Sequence, residues 1–394
     1  MSDSYSVSYI TNTMRGAPVI NGATPGALIA ALDALLISGW GAASPSTLVV
    51  AGGIATATFA SATAWESGAV ISVSAATPSA INGKARVLTS GSTVMTFATT
   101  APDGSYTGAT IKYASAGWEK LFSGTNKACY RSTDAQSAKF VLYVDDSNGL
   151  FARVRGFESM SDINTGIGPF PLDAQMTGGG YWHKATFATG TAVPYLICAD
   201  SRVMLHAIAA GIANSASYAY AVVRGFGDPI PLSPAGDPYA CMLSCNWSSL
   251  SSILAGALNS GGDSATNIGV TVCSRGWQGV GASTLQRTFP QTGDSSVSGS
   301  CSLMGAAPSG VDGQIKTSPI MLKDQSSGAP ARANVPGVYY IPQSGVAPLL
   351  GHMSKHSGAG VLADRWLFAV HIASSFTATS AEGVSLIDLT GPWR

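Results

Sequence analysis

The chain has 394 residues, enough for two or three domains, and its 21 basic and 21 acidic side chains cancel to a formal net charge of +0. Charged residues make up only 11% of it and hydrophobic residues 46%, against about 25% charged in an ordinary soluble domain. That balance excludes a disordered chain, which would lack apolar residues, and a polyanion-binding surface, which needs a basic excess, so nucleic acid is not an expected partner.

A surface with so little charge is expected to be neutral Ser, Thr, Gly and Ala, or to be covered by other subunits. The longest apolar run, Leu28–Ser38, is interrupted by Asp33 and falls short of the roughly 20 residues of a membrane-spanning helix. The opening MSDSYSVSYI has neither the basic nor the apolar region of a secretory signal, so no membrane partner and no secretion are expected.

In chain order, Met14–Gly22 reads as an extended segment ending in an Asn-Gly turn. A helix is predicted over 24–38, with Thr24 as N-cap, Pro25 at the first position, Leu28, Ile29, Leu32, Leu35 and Leu36 at helical spacing, and Gly39 closing it. Residues 45–113 then form short β-type runs, Ile54–Phe59, Val70–Val73, Arg86–Leu88 and Val94–Phe97, separated by Gly52-Gly53, Gly68, Asn82-Gly83, Gly91 and Asp103-Gly104. This is expected to be a small β-module inserted into an outer β-domain made of 1–44 and 114–180.

Residues 126–158 read as a β-meander of Lys127–Arg131, Lys139–Val144 and Leu150–Arg155, the middle strand buried on both faces. Arg155-Gly-Phe157 recurs as Arg224-Gly-Phe226, each expected to end a strand before a Pro-rich stretch, as a duplicated corner. After the Gly178–Gly180 break, a C-terminal β-rich domain of 181–394 is expected. It would hold a hairpin at Tyr195–Leu205 turning at Ala199–Ser201, a strand at 219–223, a long ordered Pro-rich loop at 225–240, and a Gly/Ser/Thr-rich stretch at 256–310 with a strand at 268–273. Strands at Gly337–Ile341, Arg365–His371 and Val384–Asp388 complete it. The fold class is mainly β, a multi-domain sandwich or barrel architecture with one short N-terminal helix.

Chemistry-bearing patterns are sparse. A Gly-x-Ser-x-Gly elbow, a phosphate-binding Gly-rich loop with Lys-Ser/Thr and a His-Glu-x-x-His helix do not occur in the sequence. The six cysteines, at 129, 198, 241, 245, 273 and 301, are spread like buried thiols of a reducing compartment. Cys241 and Cys245 would share a strand face, but a zinc site needs two further ligands and no His lies beside them. Asp145-Asp146 before Asn148-Gly149 reads as a hairpin turn, because the bidentate Glu of a calcium loop does not follow. His352 and His356 sit among glycines and read as a solvated loop.

Asp162, Asp173, Asp200, Asp228, Asp237, Asp263 and Asp312 stand beside turn residues whose amides they would cap. Two of them meeting in space would permit glycoside hydrolysis. Tyr181-Trp182, Trp247, Trp277, Trp366 and Trp393 suit a sugar groove, a β-core or an interface equally.

Met14–Gly22, Val49–Thr58, Ala80–Gly83, Ala116–Lys120, Phe122–Asn126 and the terminal Ile387–Arg394 together resemble a group of uncharacterised tailed-bacteriophage virion proteins. The resemblance runs nearly end to end, and the 48–113 module is similar to small β-domains of phage tails, baseplates and fibres. It implies a virion protein, made in the host cytoplasm, that acts as a structural subunit of the tail region, such as collar, neck, tail tip or baseplate. Its partners would be other virion proteins and copies of itself. No enzymatic activity, cofactor or metal is expected. Alternatives are a module binding host receptor or surface glycan, a capsid decoration protein and, more remotely, a glycan depolymerase. The expected contact surface is the 225–240 loop with the C-terminus, namely Phe226, Asp228, Tyr239, Trp393 and Arg394.

Overall fold

The computed structural model describes residues 5–210, 220–247, 257–259, 271–290, 304–325, 330–372 and 383–394. Cys301, Asp263 and residues 256, 260–270 and 291–303 of the Gly/Ser/Thr-rich stretch lie outside them. Among the described residues the fold is mainly β, with 44% in strands, 5% helical and one helix of 12 residues, in large curled antiparallel sheets that include a half-barrel.

Three sheets make up the described part. The first has 13 strands and starts at Ser8–Thr11, which pairs with Tyr195–Ala199. It continues through Val203–Ile208 and Val222–Gly227 and ends at the edge strand Ser354–Ser357. Every residue of Tyr195–Ala199, Val203–Ile208 and Val222–Gly227 is buried, as expected for near-continuous apolar runs covered on both faces. The hairpin turns one residue later than its sequence predicts, because the Asp200 carboxylate accepts the Arg202 and Val203 amides at 2.7 Å each.

The second sheet is a six-stranded meander from Glu119–Gly124 to Gly166–Phe170, with Gly180–His183 on the far half of Phe151–Met160. Phe151–Met160 runs straight through Arg155-Gly-Phe157, so the first of the two Arg-Gly-Phe copies is not a strand-ending corner; only the second, at the end of Val222–Gly227, is. In the first copy Phe157 stands in register with Val141 on one side and Pro169 on the other.

The third sheet holds eight strands, all between Trp40 and Tyr113. Its strands alternate in burial, as in Thr47–Ala51 and Val94–Ala98, so one face turns inward. A bulge between Val87 and Thr89 bends Gly83–Ser90, which pairs with Val70–Val73 on one side and Val94–Ala98 on the other. Inside, Trp40 stacks on Tyr113 at 4.9 Å, Trp65 meets Tyr113 at 4.9 Å, and Phe59 meets Trp65 at 5.8 Å. Residues 66–68 fasten this sheet to the 13-stranded one: Glu66 pairs with Lys355, the Lys355 ammonium lies 4.7 Å over Trp366, and Gly68 abuts the same indole. The module is thus tied to the 13-stranded sheet from within its own sequence, and buried side chains of all three sheets belong to one contiguous core.

The helix begins at Ala27, not at Thr24 or Pro25. Its first amides are satisfied from 118 residues away: the Asp146 carboxylate accepts Leu28 N–H at 2.8 Å and Ile29 N–H at 3.3 Å, which settles the orphan donors of the first turn. From Asp33 to Ser38 the helix widens to π geometry. Leu35 and Leu36 carbonyls at its end receive the amides of Ala116, Gly117 and Trp118 at 2.8–3.1 Å, so the chain leaving the module caps the helix that precedes it. Leu28, Leu32, Leu35 and Leu36 are fully buried.

Candidate functional site

Of the expected contact residues, Phe226 and Trp393 are interior. Phe226 lies in the fully buried strand Val222–Gly227, 6.3 Å from Phe170 in a stacked arrangement and 6.4 Å edge-on from Trp118. Trp393 is 7% exposed, donates its indole N–H to the Asp388 carbonyl at 2.9 Å and packs on Gly337. Their apolar area is spent inside the chain, which corrects their assignment to a surface. Arg394 is exposed but tethered, donating to the Asp200 carboxylate at 3.3 Å and the Asp228 carbonyl at 3.0 Å. Asp228 is half-buried and accepts the Ala138 amide at 2.9 Å, and burial pushes its carboxyl above the ordinary value.

Tyr239 alone leads to an apolar surface. The strand Thr271–Cys273 pairs with Met242–Ser244 and with Thr284–Gln286, and the connection between them, Ser274–Ser283, contains a tight turn closed by Gly279 N–H to Gly276 O at 2.8 Å. The ring of Tyr239 presses on Gly279, where a Cβ would sit 2.6 Å from the ring; with φ of 72° as well, only glycine fits. Arg275 lies 5.4 Å over the Tyr239 ring and grips Glu158 with two parallel bonds, Nε to Oε1 at 2.6 Å and Nη2 to Oε2 at 2.8 Å. That pairing raises the Arg275 pKa above its ordinary value.

On this base stand Trp277, 65% exposed, and Val280, 76% exposed; Ile167, 70% exposed, lies on the strand beside Glu158. Leu232, at the start of the exposed tip 232–236 of the Pro-rich loop, is also exposed. The arrangement offers Trp, Tyr and Arg around an internally neutralised ion pair, the residue types enriched where protein interfaces are most buried. Tyr239 and Trp277 were legible as aromatics, but the pairing of Arg275 with Glu158, 117 residues apart, carries no local sequence signal.

The remaining candidates resolve into structural roles. Asp162, Asp173, Asp200, Asp228, Asp237 and Asp312 each accept a backbone amide near a turn or loop, and Asp237 also holds buried Arg332 at 2.7 Å. Asp145 caps Ser147 as a hairpin turn requires, whereas Asp146 is fully buried under the helix and paired with Lys184 at 2.5 Å. His352 and His356 flank or occupy the strand Ser354–Ser357 rather than a solvated loop: His352 Nδ1 accepts the His371 amide at 3.0 Å. Cys129, Cys198, Cys241, Cys245 and Cys273 are buried thiols whose pKa values burial raises, to about 12 for Cys129, Cys245 and Cys273.

Tyr181 is half-buried under Arg153, and Trp182 is fully buried, while Trp247 is 54% exposed. No helix among the described residues is long and apolar enough to cross a membrane. No protein-family model matches the chain, and no curated protein matches it. The class defined by the fold is a mainly β protein of curled antiparallel sheets.

Proposed function

We propose that the chain is a structural subunit of a tailed-bacteriophage virion, in its tail region, that works by protein–protein assembly. The observation that carries the assembly reading is the exposed Trp277–Val280 turn, held on Tyr239 and the Arg275–Glu158 pair and flanked by Ile167. An exposed apolar set on a rigid base marks a binding surface in a soluble protein. The low charge of the chain supports the same reading, and the virion setting rests on the sequence resemblance.

Binding to a host surface glycan is the second reading, favoured by the exposure of Trp247 and Trp277. Two measurements separate them. Sedimentation of the purified chain, alone and with disrupted particles, is expected to give oligomers or co-assemblies that Trp277→Ser weakens. A protein that stays monomeric, joins no particle component and binds host polysaccharide overturns the assembly reading in favour of the second.

A further inference from the structure

We propose that Lys184 and Asp146 condense into an intramolecular amide, joining Lys184 Nζ to Asp146 Cγ beneath the helix. The pair is at 2.5 Å, Nζ to Oδ1, and both side chains are 0% exposed. Lys184 directly follows the strand Gly180–His183, Asp146 directly follows Val141–Asp145, and both strands flank Phe151–Met160 in the same sheet. Both backbones are therefore held by the sheet, and the amine lies against Oδ1, the atom bonded to the carboxyl carbon, a proximity that lowers the entropic part of the barrier.

The other oxygen is equally well placed. Oδ2 accepts Leu28 N–H at 2.8 Å and Ile29 N–H at 3.3 Å, two fixed donors where negative charge develops as the amine adds to the carbonyl. Lys184 Nζ also donates to the Thr24 carbonyl at 3.2 Å, which orients the amine. Burial favours the neutral forms of both groups. It pushes the Asp146 carboxyl up, against the pull of Lys184 and the two amides, and pushes the Lys184 ammonium down.

The step balances without a co-reactant. The neutral amine adds to Cγ of the carboxylic acid, forming the Nζ–Cγ bond and placing charge on Oδ2. One nitrogen proton passes to the Oδ1 hydroxyl, the Cγ–Oδ1 bond breaks, and one water leaves. Nothing is oxidised or reduced. The product would tie two strands of the meander covalently under the start of the helix, a brace suited to a chain under load.

Intact-mass spectrometry of the denatured full chain tests this, since an ion pair does not survive denaturation. The expected mass is one water below that of the sequence, and trypsin is expected to leave a branched peptide joining the segments of Asp146 and Lys184, uncut after Lys184. In Lys184→Arg, whose guanidinium keeps the charge but is a poor nucleophile, both signatures are expected to vanish. A wild-type chain at full mass with Lys184 cleaved overturns the proposal, whatever the folding of the variant. So does a dehydrated chain whose water loss maps elsewhere, such as to Asp103-Gly104.

Discussion

Phe226 is 1% exposed, enclosed by Phe170, Trp118 and the ladders of its neighbouring strands. Phe226→Ala is expected to cost about 3–5 kcal/mol, the range for emptying a ring from a core that only partly collapses, read as a fall in the urea midpoint at unchanged slope. A surface contact would cost next to nothing, so this variant also distinguishes a core ring from a surface one. His206 is a second informative residue. It is 1% exposed against Trp182 at 4.6 Å, and burial, with Arg224 beside it, lowers its pKa from 6.5 to about 3. As pH falls from 6.5 toward 3, the unfolded chain takes up a proton that the folded chain refuses. Stability is therefore full above pH 6.5 and declines below it, by at most about 1.4 kcal/mol per pH unit from this ring. Urea unfolding at pH 7 and pH 5 is expected to show the decline, and His206→Leu to flatten part of it.

The elements differ in how far the sequence disclosed them. Strands such as Val94–Ala98 are visible because β-branched and aromatic residues stop at Gly, Asn and Asp breakers, and no competing helical spacing exists there. The helix was visible from Leu28, Leu32, Leu35 and Leu36, but its start was not. Thr24 and Pro25 satisfy the local rule for a cap, yet the acceptor that sets the first turn is Asp146, brought in by the meander. The Tyr239 surface is legible only in part for the same reason: its aromatics announce themselves, whereas the Glu158–Arg275 grip joins a strand to a connection 117 residues away. The helix end is different, because Gly39 is set locally. With φ of 71°, its missing Cβ would lie 2.3 Å from the Tyr113 carbonyl, so Gly39→Ala is expected to destabilise by at least about 1 kcal/mol. Thermal melting checks this, and an unchanged midpoint would mean that the helix–module junction relaxes.

At the scale of the whole molecule, one core runs beneath all three sheets, and a scarcity of surface charge leaves apolar side chains at the Trp277–Val280 turn and beside it. Because Trp277 and Val280 are exposed, Trp277→Ser with Val280→Ser is expected to leave the unfolding free energy within about 0.5 kcal/mol of the parent while lowering incorporation into particles. Loss of stability instead would place these residues in the core. The proposed role as a structural subunit of the tail region is checked by a cryo-electron microscopy map of the particle. Density for the 13-stranded sheet and its docked module is expected in symmetry-related copies on the tail, with the Trp277 turn facing a neighbouring chain. A complete map of the particle without this fold would contradict it.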